Sequence, residues 1–434
     1  MPSQRRKKYR ATSQDLMNYI SRGIADQQLH FVIRCAAQLD EGRLRKAVDL
    51  CVVAHPVLGC LLDETGKEPF WRPVDRSEGW GFSVAEGSDI DKQLNDFILV
   101  PGDPRKDPLA QVRLFRGMKD TLCVKMNHVC ADGAGTRNYA YLLVSIYNAL
   151  GRDPGFVPKI DERERSMRSV LNKYGLGMRI GLARAAMRFM RKANTQVGRS
   201  WQLPVKSSSN TRRTMAVRRI DEAWGIRITD IAKQHDATLN DMLLAAYFRT
   251  LFKIIPVDGS APVPLQVSVD LRRYNPVTTD VIGNLSSAIF AAIPPTSAEE
   301  FFKTLERVKE VMNRQKARSP LVGAYAIGIP FRFMNYPKAS AAMQQMTAGR
   351  ANKGVAMPLL SNFGKLEPER LAFDGSDPTD AYITTPIMFP PYLMLGVTGY
   401  RGSLTLTSGY CRDGVGNDSV ERILDLVLEE LPGK

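Results

Sequence analysis

Between Thr121 and Leu150 the spacing of apolar residues changes partway along. Leu122, Val124 and Met126 alternate with their neighbours and His128 continues their face, whereas Tyr139, Leu142, Leu143, Ile146, Tyr147 and Leu150 recur at three- and four-residue steps. Period two predicts a strand and period 3.6 a helix. Asp132-Gly133 marks the turn between them. Upstream, Tyr9 to Ile24 reads as a docking segment with a short helix and Phe31 to Leu39 as a strand. Asp40 stands as an N-cap before a helix with Leu44, Ala47, Val48, Cys51 and Val52 on one face, ended by His55-Pro56. Gln111 to Arg116 and Thr121 to His128 form a hairpin around Gly117 to Asp120.

The second half repeats the theme of strands and helices without repeating the sequence. Thr214 to Ile220 reads as a strand and Ala223 to His235 as a helix, followed by a Thr238/Asp241 capping box before Leu239, Met242, Leu243, Ala246 and Leu251. Strands are expected over Val263 to Arg272, Ala288 to Ile293 and Met357 to Gly364, with a long helix over Ala298 to Ala317. A hairpin of Tyr392 to Thr398 and Ser403 to Tyr410 turns at Arg401-Gly402, and Val420 to Leu431 is the closing helix. The stretch from Leu321 to Ala356 is rich in Met, Ala and Gly.

The 434 residues suffice for two cores. Hydrophobic content of 44% and charged content of 24% are those of an ordinary globular chain. With no run of 18 apolar residues and no apolar segment in MPSQRRKKYR, neither a spanning helix nor a secretory signal is expected, and the cytoplasm is the expected location, with peripheral membrane contact as an addition. Cys35, Cys51, Cys60, Cys123, Cys130 and Cys411 show no CxxC pair and read as small buried hydrophobes, and no metal site is expected.

The net charge of +15 is local: residues 1–10 carry five Lys or Arg and residues 165–213 carry twelve, both without an acid. Within the second segment, Gly177 to Lys192 fits a helix with Met178, Leu182, Ala185, Ala186 and Phe189 on one side and Arg184, Arg188, Arg191 and Lys192 on the other. Such a helix meets an anionic membrane or an acidic partner, or it packs on its own protein with a solvated basic face. Few aromatics lie near these charges, so no nucleic-acid partner is expected.

A histidine drawn into an apolar layer tends to stay neutral near pH 7, the state a general base needs, although many such residues are only packed in place. His55 is either an auxiliary acid or base or simply a residue favoured at a helix C-terminus. Asn127 to Gly133, NHVCADG, resembles the HHxxxDG motif of the CoA-dependent acyltransferase superfamily, which includes nonribosomal-peptide condensation domains, polyketide-associated acyltransferases, plant alcohol acyltransferases and bacterial wax-ester/diacylglycerol synthases. Val269-Asp270-Leu271-Arg272 with Gly283-Asn284 resembles a second superfamily element. Ser361-Asn362-Phe363-Gly364 resembles the strand equivalent to the DFGWG segment of plant members. The opening AHPVLGCLLDE looks like the start of a condensation-type half-domain.

The resemblance covers about residues 9 to 431. It implies an α/β (α+β) fold of two chloramphenicol-acetyltransferase-like subdomains in a V-shaped pseudo-dimer with a central channel: residues 1–160 carrying the motif, a basic linker with an amphipathic helix over 161–213, and 214–434. The boundary is placed in the linker-like KSSSNTRR, 206–213. The implied activity is acyl transfer, with an acyl group other than aminoacyl passing from an acyl-CoA or acyl-carrier thioester to an alcohol or amine and no tightly bound cofactor. The alternative is a non-catalytic relative that binds a lipid or acyl ligand at a membrane surface. His128 is then the base, and Asp132, Gly133 and Arg272 are structural at the active site, with Asp132 and Arg272 as an ion pair. Asn127, Asn284, Ser286, Ser287, Ser361 and Asn362 contribute to substrate or oxyanion binding or to the channel wall. Implied partners are a small-molecule acyl acceptor, a separate acyl-carrier protein, and an anionic membrane reached through Gly177–Lys192. Asn127 departs from the family's first histidine, which weakens the peptide-forming and wax-ester readings.

Overall fold

The computed structural model describes residues 8–75, 77, 79–196, 211–254, 262–296, 299–317, 320–352, 356–415 and 417–434. In chain order β1 (Tyr9–Arg10) leads to α1 (Ser13–Ile20), β2 (Gln28–Cys35), α2 (Glu41–Ala54), β3 (Cys60–Asp63), β4 (Phe70–Pro73), β5 (Phe82–Glu86) and α3 (Ile90–Leu99). Then follow β6 (Ala110–Arg116), β7 (Thr121–Asn127), α4 (Gly133–Arg152), α5 (Arg168–Leu171) and α6 (Leu176–Gln196). Next come β8 (Arg213–Ile220), α7 (Glu222–Gln234), α8 (Leu239–Ile254), β9 (Val263–Asp270), β10 (Ser286–Ile293), α9 (Phe301–Ala317), α10 (Leu321–Gly328), α11 (Pro330–Phe333) and α12 (Tyr336–Asn352). The chain closes with β11 (Leu359–Lys365), α13 (Pro368–Leu371), β12 (Pro378–Thr384), β13 (Met394–Tyr400), β14 (Ser403–Cys411), α14 (Arg412–Val415) and α15 (Asn417–Glu430).

Three sheets organise these elements, in the orders β12-β2-β7-β6-β5, β10-β9-β11-β13-β14-β8 and β1-β4-β3. The mixed α/β class agrees with the expectation. Strand β12, from the second half of the chain, pairs antiparallel with β2, so residues 378–384 complete the sheet that carries β7. Part of one core packs α2 and α4 on β2 and β7, while the other gathers β8 to β11, β13, β14, α7, α8, α9 and α15.

Local chemistry explains most of the agreement. Asp40 caps α2 by accepting from Arg43 N–H at 2.8 Å. Thr238 and Asp241 cap α8 reciprocally, at 3.0 and 3.2 Å. Arg401 and Gly402 turn the last hairpin with φ of +45° and +83°, the pair of left-handed residues that a two-residue loop between twisted strands requires. The expected strand at Phe31–Leu39 instead runs from Gln28 to Cys35, because β2 follows β7 in register from Gln28 opposite Asn127 to Arg34 opposite Thr121. Most of the expected linker at 206–213 lies outside the described residues.

On α6, Leu182 and Ala186 are buried with Leu321, Ala324 and Tyr325 of α10. The helix therefore packs on its own protein along one face. Met178, expected on that face, is 51% exposed. The side chains of Phe189, Arg191 and Lys192 lie outside the described set. All six cysteines are buried, and none forms a disulfide among the described residues. Among the described residues no helix is long and apolar enough to cross a membrane, and no His, Cys, Asp or Glu group is arranged to hold a metal ion.

Candidate active site

Strand β7 stops at Asn127 because the next residues leave the ladder for a tight turn. Asn127 Oδ1 accepts from Val129 N–H at 3.0 Å, and Asn127 C=O accepts from Cys130 N–H at 3.0 Å. An Asx turn of this kind substitutes a side chain for the missing sheet partner. Asn127 is thus buried as a turn-former, with its side-chain oxygen already engaged where the family's first histidine would stand. His128 follows, its N–H bound to Gln27 C=O at 2.8 Å. Leu122, Val124 and Met126 enter the core while His128 stays partly exposed.

Asp132 is the N-cap of α4, accepting from Gly135 N–H at 2.8 Å. The same carboxylate accepts from Leu285 N–H at 2.7 Å and meets Arg272 Nη1 and Nη2, both at 3.1 Å. Arg272 also donates to Val281 C=O, Gly283 C=O and Asp270. Both side chains of the central pair are almost fully withdrawn from water, at 2% and 3% exposure. Burial pushes the Asp132 carboxyl up, but the Arg272 charge and these donors outweigh it and hold it below the usual carboxylate range. The expected ion pair is present, and it joins residues 140 positions apart.

Two glycines let this lock close. A Cβ on Gly133 would lie 2.5 Å from the Phe363 ring, and one on Gly135 would lie 2.8 Å from Gly283 C=O. Phe363 belongs to the Ser361–Gly364 strand, so that element does approach the motif. Within it, Asn362 Oδ1 accepts from Gly364 N–H at 2.9 Å, at the register shift of β11 against β13, and Ser361 is buried opposite Gly396.

Asn284 lies within the His128 cluster. Its Nδ2 donates to Asp15 Oδ1 and Val129 C=O, both at 2.9 Å, so both amide hydrogens are engaged inside the protein and neither is left for an oxyanion. Ser287 is turned away, donating to Pro320 C=O at 2.8 Å. Ser286 begins β10 half-buried, and its hydroxyl has no partner among the described residues.

Three contributors escaped the sequence reading. Asn18 on α1 lies 3.1 Å from His128 Nδ1. Asp15 accepts from Asn284 and from Trp71 Nε1. Arg165 donates to Cys130 C=O at 2.6 Å and Ile282 C=O at 3.0 Å, bracing the turn. The signal for Asp15 was available, because Thr12 and Asp15 form a reciprocal capping box. Asn18 carried none.

Burial lowers the pKa of His128 below its ordinary 6.5, against opposing contributions from Asp132, its own carbonyl and Asn284. His30 is likewise held well below that value, and His55 falls to about 4. His55 caps α2 with Nε2 3.6 Å from Asp161; desolvation overrides the helix-end attraction expected for a charged ring. Each of these groups takes up a proton in the unfolded chain before it does so in the folded one. Stability is therefore retained above pH 6.5 and lost as pH falls. Asp26, raised to about 6 by burial, works the other way, but it is one group against three. The urea midpoint should be lower at pH 5 than at pH 7, and an equal or higher midpoint would contradict this balance.

No family model matches the chain. Surfactin synthase subunit 2 of Bacillus subtilis (strain 168) is 26% identical over 135 residues, which is 30% of this chain and 4% of that protein. The chain therefore corresponds to a small part of that relative. Solved structures agree over nearly the whole length. TRI3 trichothecene 15-O-acetyltransferase from Fusarium sporotrichioides superposes with a TM-score of 0.75 at 14% identity, covering 98% of this chain and 94% of that one. The first condensation domain of the CDA synthetase gives 0.70 at 16%, covering 99% and 98%. Polyketide synthase associated protein 5 from Mycobacterium tuberculosis gives 0.69 at 15%, covering 98% of each. Agreement over so much of the chain at so little identity shows that this protein shares the fold of these acetyltransferase and condensation-domain structures.

Proposed function

We propose that the protein transfers an acyl group from a CoA or carrier-protein thioester to an alcohol or amine, with His128 as general base. One observation carries this reading: His128, a half-buried residue whose pKa desolvation lowers, directly precedes a turn locked by Asp132 and Arg272. Thioester carbonyls are already reactive, so the enzyme must orient the acceptor, remove its proton and stabilise the oxyanion. His128 takes the acceptor's proton as the hydroxyl or amine attacks the thioester carbonyl. Collapse of the tetrahedral intermediate breaks the C–S bond, and the imidazolium returns the proton to the thiolate. Asp132 contributes position only, because its oxygens are occupied by Arg272 and two backbone N–H groups. The test is thiol release from acyl-CoA of graded length in the presence of alcohols and amines, comparing the native protein with His128→Ala.

One observation favours membrane contact as well, whether the protein turns over a substrate or only holds an acyl ligand there. On the solvent side of α6, Leu176, Ile180 and Met187 fall in one row and are 72%, 45% and 42% exposed, with exposed Arg184 and Arg188 alongside. An apolar row edged by arginine suits an anionic bilayer surface, where each basic residue contributes about 1 kcal/mol. Sedimentation with phosphatidylserine vesicles should carry the native protein down at low salt, and Ile180→Glu with Met187→Glu should release it. Native protein that stays in the supernatant would reject the contact. Thiol release separates the catalytic from the ligand-holding alternative.

A further inference from the structure

We propose that Arg137 is a specificity-determining residue that binds an anionic group, a carboxylate or a phosphate, carried by a substrate of the site around His128. This rests on the transfer reaction proposed above and adds the charge of what that reaction takes. Arg137 lies one turn, about 6 Å, beyond Gly133 along α4, so the two share a helix face with Tyr141 one turn further on. Phe363 covers that face at Gly133. The next residue, Gly364, has φ +86°, and Arg137 Nη1 lies 3.9 Å from the place its Cβ would occupy. Tyr141 accepts from Glu367 N–H at 2.8 Å. Arg137 therefore stands between the motif's own glycine and the segment 363–367 that crosses α4 from the second half of the chain.

What sets this guanidinium apart is the lack of a counter-charge. The side chain is half-buried. Its Nε is fully withdrawn from water, and the group has no hydrogen-bond or ion-pair partner among the described residues. Other arginines drawn into the protein are neutralised: Arg116 by Asp120 at 2.7 Å, Arg165 by Asp15 at 3.8 Å and Arg307 by Glu299 at 2.7 Å. Around Tyr141 the acids are already taken. Glu367 and Asp280 both pair with Arg370, at 3.5 and 2.9 Å, and Arg370 lies over the Tyr141 ring at 4.2 Å. Asn362 Oδ1 is likewise occupied, by Gly364 N–H at 2.9 Å. A charge withdrawn from water without a partner costs stability, and an anionic ligand removes that cost. The planar fork of an arginine matches the oxygens of a carboxylate or phosphate, and the bare Gly364 leaves room for them to approach.

Calorimetric binding to full-length His128→Ala protein tests this without turnover, using pairs of probes that differ by one anionic group. S-acetylphosphopantetheine against S-acetylpantetheine places the anion on the thiol, succinyl-CoA against butyryl-CoA on the acyl chain, and L-serine against 2-amino-1,3-propanediol on the acceptor. In at least one pair the charged member should bind more tightly. Arg137→Gln, added to the same protein, should weaken that member by about ten- to hundredfold, the worth of hydrogen bonds to a charged group, and leave its neutral counterpart unchanged. Without ligand the urea midpoint of Arg137→Gln should equal or exceed that of its parent, because no partner is lost. Three outcomes overturn the proposal: equal or absent binding of both members in every pair, an equal effect of Arg137→Gln on charged and neutral members, or a lowered urea midpoint. Turnover by His128→Ala would instead remove the proposed base, while the affinities are judged separately.

Discussion

His128→Ala is expected to lower thiol release from acyl-CoA by about 10²–10⁴-fold, the range a positioned general base supplies, while the protein stays folded. The fold should survive because His128 lies outside the apolar core that Leu122, Val124 and Met126 enter. Its backbone contact, N–H to Gln27 C=O, does not depend on the side chain. Residual turnover would reflect binding and the intrinsic reactivity of the thioester. In the native protein the acid limb of kcat/KM should lie below pH 6.5, since burial lowers the His128 pKa from that value, and the rate should be level through pH 7. Unchanged turnover in a folded His128→Ala protein, or an acid limb above pH 6.5, would remove the histidine from the chemistry.

Arg272→Met is expected to destabilise the protein by about 3–5 kcal/mol, the cost of leaving one member of a buried ion pair uncompensated. Asp132 would retain only the Gly135 and Leu285 N–H groups as partners. Asp132→Asn should cost less, because Arg272 keeps Asp270 and the carbonyls of Val281 and Gly283. The double variant should cost less than the sum of the two, since neither is left charged against an empty partner. Urea denaturation of the three variants measures all of this. An Arg272→Met protein within about 1 kcal/mol of native stability would show that the pair is not what holds the turn to the second half of the chain. Turnover should fall with stability in the single variants, because Asp132 caps the helix that follows His128.

Much of the local structure was legible because it depends on neighbours in sequence. Asp40, Thr238 with Asp241, and Arg401-Gly402 each act within four residues, so a helix start or hairpin turn follows from the residues themselves. The Asp132–Arg272 pair was legible by another route, since resemblance to known motifs carried a long-range contact that spacing alone does not contain. By contrast, β12 could not be assigned to the sheet of the first half, because which edge a strand joins depends on where the chain returns in space. The exposed row on α6 escaped for a similar reason: an apolar wheel cannot say which of two apolar faces α10 will cover.

The sequence by itself determined a strand that delivers a histidine into a tight turn, the helix after it, and two basic segments in an otherwise balanced chain, because periodicity, capping and charge are local properties. Only the tertiary structure decided that Asn127 serves the turn, that both Asn284 hydrogens are engaged, and that Asn18 stands against the imidazole. The reason is physical. A hydrogen bond is directional and reaches about 3 Å, so its partners are chosen by packing between segments as far apart as α1, β7 and β10, and no spacing in the sequence encodes that choice.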